Sequence, residues 1–398
     1  MDAITRKLFN ENFSKANYEN FLAQLNQAYR PIPFRVAESP FFISEDLKKK
    51  LISAGEEILA FIKQPSFKSI TNAAIPPQWN VPNENDHPHF ICLDFGICEM
   101  EDGSLEPQLI ELQGFPSLFG FQHLLAETFL TYYHLSSEWR TFTGVSADYN
   151  YFKELSDLIT GDCKPSEVIM LDIKPHKQKT AIDFEVTACM LGLKILGIEE
   201  VQVEGLNLYY KEDHELKPIR RIYNRLIFDE LAQLPSTEWN MFDPRTSYNV
   251  EWITHPNWFY RISKFLLPYL KSRFVPSTRF LSEFSNYPKD LENYVLKPLF
   301  SFAGQGVIIN PVLEDLTGIS DPKNWILQKK VKYAPVLKSP TGDVKVEVRL
   351  MYTWADNSEP QLVMNLTRHS KGEMIGVRYN DQLDWVGGSV SFMKKQSS

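Results

Sequence analysis

Cysteine is scarce: four residues (Cys92, Cys98, Cys163 and Cys189) in a chain of 398, with no Cys-x-x-Cys spacing. That excludes a disulfide framework and fits a reducing compartment. Long apolar runs are missing too, since no window approaches the roughly 18 uninterrupted apolar residues that a membrane span needs. The start of the chain, MDAITRKLFNENF, is too charged for the apolar region of a signal peptide. The expectation is a soluble, cytoplasmic protein with no membrane partner. A basic excess is absent as well: 42 Lys and Arg against 50 Asp and Glu leave a net charge of −8. Without a basic patch, nucleic acid is not an expected partner. There is no internal repeat and no low-complexity tract.

What is present is a globular composition, 43% hydrophobic, 23% charged and 13% aromatic. At roughly 150 residues per domain the length suits two or three packed units. Residues 1–75 read mostly as helix; in 46–63, Leu47, Leu51, Ile52, Ile58, Leu59 and Ile62 share one broad face. The polar stretch 76–88 breaks that pattern, and 89–113 reads as two strands around Asp102-Gly103. VIMLDI (168–173) has the form of a buried strand. A helical pattern closing at Gly197 follows, and VQVEG and IRRIYNR offer further strands, which together make a β-α-β unit. The turn after its first strand, KPHKQKT (174–180), has no glycine, which removes the main support for dinucleotide binding. Beyond residue 256 a helix over 258–271 is expected, then strands and loops rich in Lys, Gly and aromatics.

Two segments carry chemistry. In YVLKPLFSFAGQGVIINP (294–311) an apolar strand delivers Lys297, and a loop from Ser301 through Gly304, Gln305 and Gly306 leads into a second strand. A lysine at a strand end with a flexible loop beside it suits phosphate oxygens. It is not a Walker A loop, because the lysine precedes its glycines; an ordinary glycine hairpin is the alternative. In FICLDFGICEMEDGSLEPQLIELQGFPSL (90–118), a two-residue turn at Asp102-Gly103 pairs residues whose numbers sum to 205. Asp94 then faces Glu111, and Gln113 shares their side of the sheet. Opposed carboxylates repel unless a cation lies between them, so a Mg²⁺ site is expected; an exposed acidic face is the alternative. Asp86-His87-Pro88-His89 offers ligand-type side chains, but two histidines two residues apart beside a proline read as a polar loop, with a transition-metal site the lesser alternative.

Lys297 to Gly306 resembles the lysine strand and glycine loop of ATP-grasp enzymes, and residues 93–116 resemble their magnesium hairpin. Here the hairpin comes first. The chain is therefore similar to the circularly permuted ATP-grasp branch, which includes glutathionylspermidine synthase-like and glutathione synthetase-like ATP-dependent ligases. The resemblance implies ATP and Mg²⁺ as cofactors, with Asp94, Glu111 and Gln113 at the metal. Lys264 and Lys297 are implied at the phosphates, together with Ser301, Gly304, Gln305 and Gly306. Gln328, Lys329 and Lys330 would form the linker whose backbone meets adenine, and Glu347 would bind ribose. Arg349 and Arg368 are the implied catalytic arginines. Gln113 stands where relatives carry asparagine, and Cys92 where several carry arginine. Arg221 and Arg225, on one face of the strand in RRIYNR, are candidates for a substrate carboxylate, whose two oxygens suit a planar guanidinium.

The fold expected is α/β (α+β), a permuted ATP-grasp with an α/β substrate unit of the pre-ATP-grasp kind. Residues 1–135 hold the helices and metal hairpin, 136–255 the substrate unit, and 256–398 the lysine strand and glycine loop. The expected activity is ligation of a small-molecule or peptide carboxylate to an amine through an acyl phosphate. An ATP-grasp phosphotransferase and an inactive nucleotide-binding regulatory protein are the alternatives.

Overall fold

A computed structural model describes the chain except residues 28, 143–148, 236–241, 301–303, 373–374, 376–382 and 396–398. Its central sheet is antiparallel and runs in the order Gly387–Ser389, Gln361–Ser370, Gly342–Thr353, Phe90–Glu99, Leu105–Gln113, with Leu337–Ser339 pairing to the long strand Gly342–Thr353. The hairpin of the N-terminal third thus adds directly to strands from the end of the chain, with Asp94 opposite Arg349 and Gly96 opposite Glu347. One face of this sheet packs on helix Glu45–Ile62. Leu47, Leu51, Ala54 and Ile58 of the helix share a core with Leu93, Phe95, Val348 and Leu350. Each such buried side chain larger than alanine contributes roughly 1.5–3 kcal/mol. The helical stripe predicted over 46–63 is this contact.

The hairpin closes differently from the expected two-residue turn. Glu99 pairs with Leu105 and Phe95 with Leu109, one position off the predicted register, and a bulge at Ile110 then brings Glu111 opposite Asp94. The extra residue reverses the alternation of faces. Leu109 and Leu112 both reach the core although they are three apart, while Glu111 and Gln113 line the opposite side.

The middle of the chain forms a parallel sheet in the order Glu251–Ile253, Arg221–Asn224, Val168–Asp172, Lys194–Gly197. The expected β-α-β unit is there, but its helix spans Ala181–Leu191. Gly192, at φ 70°, stops it in the left-handed conformation that glycine tolerates, so Leu196 belongs to a strand and not to the helix. The helix expected over 258–271 is also shorter, Asn257–Arg261. Ser263 starts a new 3₁₀ turn by accepting from the Phe265 N–H, and Pro268 cannot continue a helix. A third sheet, antiparallel, orders Thr278–Phe280, Trp325–Lys329, Tyr294–Pro298 and Ile308–Ile309. Among the described residues, no helix is long and apolar enough to cross a membrane.

Candidate functional site

The central sheet, the antiparallel sheet that holds Lys297 and loops at the end of the parallel sheet line a cavity of about 1420 Å³. The central sheet supplies its floor through rows of facing residues. One row runs Glu111, Asp94, Arg349; the next runs Gly96, Glu347, Arg368. The 3₁₀ turn Lys264–Leu266 brings in Lys264, the strand Tyr294–Pro298 brings in Lys297, and Gly304 lies on the rim. Residues predicted from segments far apart in sequence therefore meet in one place.

Their charges are largely settled among themselves. Asp94, only 2% exposed, accepts from Arg349 through both oxygens (Nε–Oδ1 2.5 Å, Nη2–Oδ2 2.7 Å) and from Arg368 (3.0 Å). Burial alone would raise its pKa, but the two guanidinium groups outweigh that and hold the carboxyl well below its usual range. Asp94, expected at the metal, thus has both carboxylate oxygens engaged by guanidinium groups. Glu111 meets the Lys264 ammonium at 3.2 Å and keeps a partly open side chain. Gln113 also lines the cavity, and its amide makes no hydrogen bond among the described residues.

Lys297 is buried. Its Nζ donates to Gln328 Oε1 (2.5 Å) and to the carbonyl of Ile110 (3.2 Å), the residue of the bulge. Burial, with help from nearby Lys264, pulls its pKa down to about 8. Gln328, expected in the linker whose backbone meets adenine, commits its side chain to Lys297. It sits inside the strand Trp325–Lys329, orienting Lys297 and donating to Thr278 Oγ1. Lys329 and Lys330 follow at the cavity edge, but their backbone N–H groups are already given to Ser277 and Asn293 carbonyls, 2.8 Å each.

Glu347, the expected ribose ligand, has both oxygens engaged, one by the Tyr333 hydroxyl (2.9 Å) and one by Arg368 (3.1 Å). Burial pushes its pKa up, against the pull of Arg368. Tyr333 was not singled out from the sequence. Its ring lies over Gly96, where a Cβ would stand 2.5 Å from the ring. A glycine in the middle of the apolar strand FICLDFGICE was the available signal of such a close approach.

The two substrate arginines separate. Arg225 lines the cavity between the rings of Phe115 and Phe184, bonded to the Pro116 carbonyl and 3.8 Å from Asp183. Arg221 does not reach the cavity. It bonds Leu158 O and Glu251 beside a smaller pocket, because Arg225 lies beyond the end of the strand Arg221–Asn224 and the alternation that would align the two is broken. Of the glycine loop, Ser301 lies outside the described residues. Gly304-Gln305-Gly306 forms a turn, with Gly304 at φ 75° and Gly306 at φ 72°.

No family model and no curated protein matches the chain. A solved structure does: a glutathione synthetase-like effector, GSS30, from Globodera pallida in its apo form, over 90% of each chain with a TM-score of 0.58 and 9% identity. At that identity the likeness is one of architecture, and the fold of this chain is glutathione synthetase-like.

Proposed function

We propose that the chain is an ATP-dependent carboxylate–amine ligase of the permuted ATP-grasp kind, acting through an acyl phosphate. The observation that carries this reading is the gathering of Lys264, Lys297, Arg368, Glu111 and Gln113 around one cavity. Four further features support it: the glycine turn on the rim, the two lysines on separate elements, the glutathione synthetase-like fold, and an arginine, Arg225, at the cavity wall.

Glu111 and Gln113 offer a carboxylate and an unengaged amide oxygen from one face of one strand, a hard-oxygen donor set that fits Mg²⁺. When bound there, the ion supplies neutralising charge to the phosphates. Lys297 and Lys264 hold the β- and γ-phosphates as a substrate carboxylate oxygen attacks the γ-phosphorus and ADP leaves. Arg368, the more open of the two buried-pair arginines, stabilises the transferring phosphoryl group, while Arg349 fixes Asp94 beneath it. An amine then attacks the acyl carbon and phosphate departs. Arg225, which lines the cavity, would meet the acid.

The test is ADP release across a panel of small acids and peptides, with hydroxylamine as the trapping amine. Acid-dependent ADP formation with a hydroxamate product is expected. A stable phosphorylated acceptor would replace the ligase with a phosphotransferase. Nucleotide binding with no acid-dependent turnover would favour the inactive binding protein, a reading that the glutamine at position 113 and the arginine-locked Asp94 also suit.

A further inference from the structure

We propose that His87, His89, Glu251 and Asp356 form a binding site for a divalent cation of the zinc class, apart from the nucleotide cavity. None of the four lines that cavity. They come from three segments: the approach to the hairpin, the edge strand Glu251–Ile253 of the parallel sheet, and the turn after the long strand Gly342–Thr353. Ligand atoms of His89, Glu251 and Asp356 lie within 4.8 Å of one another, and His87 Nε2 stands 3.2 Å from Asp356 Oδ1.

The chemistry suits a borderline cation. Two imidazoles and two carboxylates are the donors zinc takes in tetrahedral sites, at about 2.0–2.2 Å from the ion, which puts neighbouring donors roughly 3.3 Å apart. His87 and Asp356 already have that spacing. The others must draw in by roughly an ångström or more, and the mobile partners are the right ones: Asp356 and Glu251 carry open side chains, 67% and 49% exposed. The imidazoles are held. His87 stacks on Trp354, with ring centres 4.5 Å apart and planes 14° from parallel.

His89 supplies an independent reason to expect a ligand. It is 2% exposed, and its Nε2 makes no hydrogen bond among the described residues; Nδ1 has a long contact, 3.4 Å, to the Asn85 amide. Arg221 opposes the site, since its Nη1 sits 3.0 Å from Glu251 Oε2. It leaves the second oxygen of Glu251 open, and two carboxylates against one guanidinium still leave a net negative charge for a dication.

The experiment is a Co²⁺ titration of the metal-free full chain in excess Mg²⁺, followed by visible absorption and by melting temperature. One equivalent should bind with a tetrahedral-type absorption band, Zn²⁺ should displace it, and the melting temperature should rise. Asp356→Asn and His87→Asn, away from the core, should each weaken Co²⁺ at least tenfold and cancel the rise. Glu111→Gln should leave both readouts unchanged, which separates this site from the proposed magnesium site. Absence of the band, or a band that survives both substitutions, overturns the proposal; so does a band lost in Glu111→Gln. His89→Asn is the confirming variant where circular dichroism shows it folded.

Discussion

Asp94 and Glu111 stand directly opposite one another on neighbouring strands, yet each has its own cation: Arg349 grips Asp94 and Lys264 meets Glu111. One carboxylate is sealed in the floor of the cavity and the other is left at its surface. The two substitutions should therefore behave differently.

Arg349→Met should destabilise the fold by about 3–5 kcal/mol, because it strands a buried charge. Arg368 stays on Asp94, which favours the lower end of that range. Asp94→Asn combined with Arg349→Met should cost less than Arg349→Met alone. Urea unfolding measures both. The pH signature follows from the depressed folded pKa of Asp94. Its stabilisation is full above the unfolded value of about 3.9 and is lost as pH falls toward the lower folded value. The single variant should show a flatter acid limb.

Glu111→Gln should cost less stability than Arg349→Met, because its side chain is 22% exposed, although it removes the charge that faces the buried Lys264 ammonium. Acid-dependent ADP release should fall steeply and recover in part at high Mg²⁺. Full activity at ordinary Mg²⁺ would remove Glu111 from the metal site.

Lys297→Met should weaken ATP binding roughly tenfold or more, since a hydrogen bond to a charged group is worth about 1.5–3 kcal/mol. Stability at pH 7 should hold or rise, because the variant no longer buries an ammonium. The sign is checkable in the parent. With a folded pKa of about 8 and an unfolded value of about 10.4, the unfolded chain keeps a proton that the native chain has shed between those values. Stability therefore gains with pH across that window from this group. Calorimetry near pH 8 should find proton uptake on ATP binding.

Deleting residues 1–125 should abolish soluble expression, because it strips the hairpin from the long strand Gly342–Thr353 and removes helix Glu45–Ile62 from the core. A folded 126–398 fragment that still bound ATP would contradict a shared cleft.

Much of this site could be read in advance because charge is conspicuous in apolar strands. Asp94, Glu111, Lys297, Glu347 and Arg349 all interrupt runs of Val, Leu, Ile and Phe. Their partners were not readable, since who neutralises whom depends on strands 255 residues apart in sequence meeting in one sheet. The pairing of Asp94 with Glu111 came out as expected for a partly different reason. The turn is one residue off, and the bulge at Ile110 restores the register that a simple count assumes. Pro107, which cannot donate to the ladder, weakens a simple register, but nothing in LEPQLIELQ marks Ile110 as the bulge. The family resemblance of 325–333 places Gln328 in a linker, and the resemblance does not show that the strand Trp325–Lys329 continues through it.

The pairing of Phe90–Glu99 with Gly342–Thr353 also sets the order in which the molecule can be made. At about 5–20 residues per second, the 255 residues separating Asp94 from Arg349 imply a wait on the order of 10–50 s between synthesis of the first strand and arrival of its partner. Throughout that interval FICLDFGIC has an unpaired edge, and every residue of it is buried in the finished protein. Asp94 is the only charge in that run. Until Arg349 emerges Asp94 lacks the partner it has in the finished sheet, and a lone charge inside an apolar strand is the placement that disfavours edge-to-edge association.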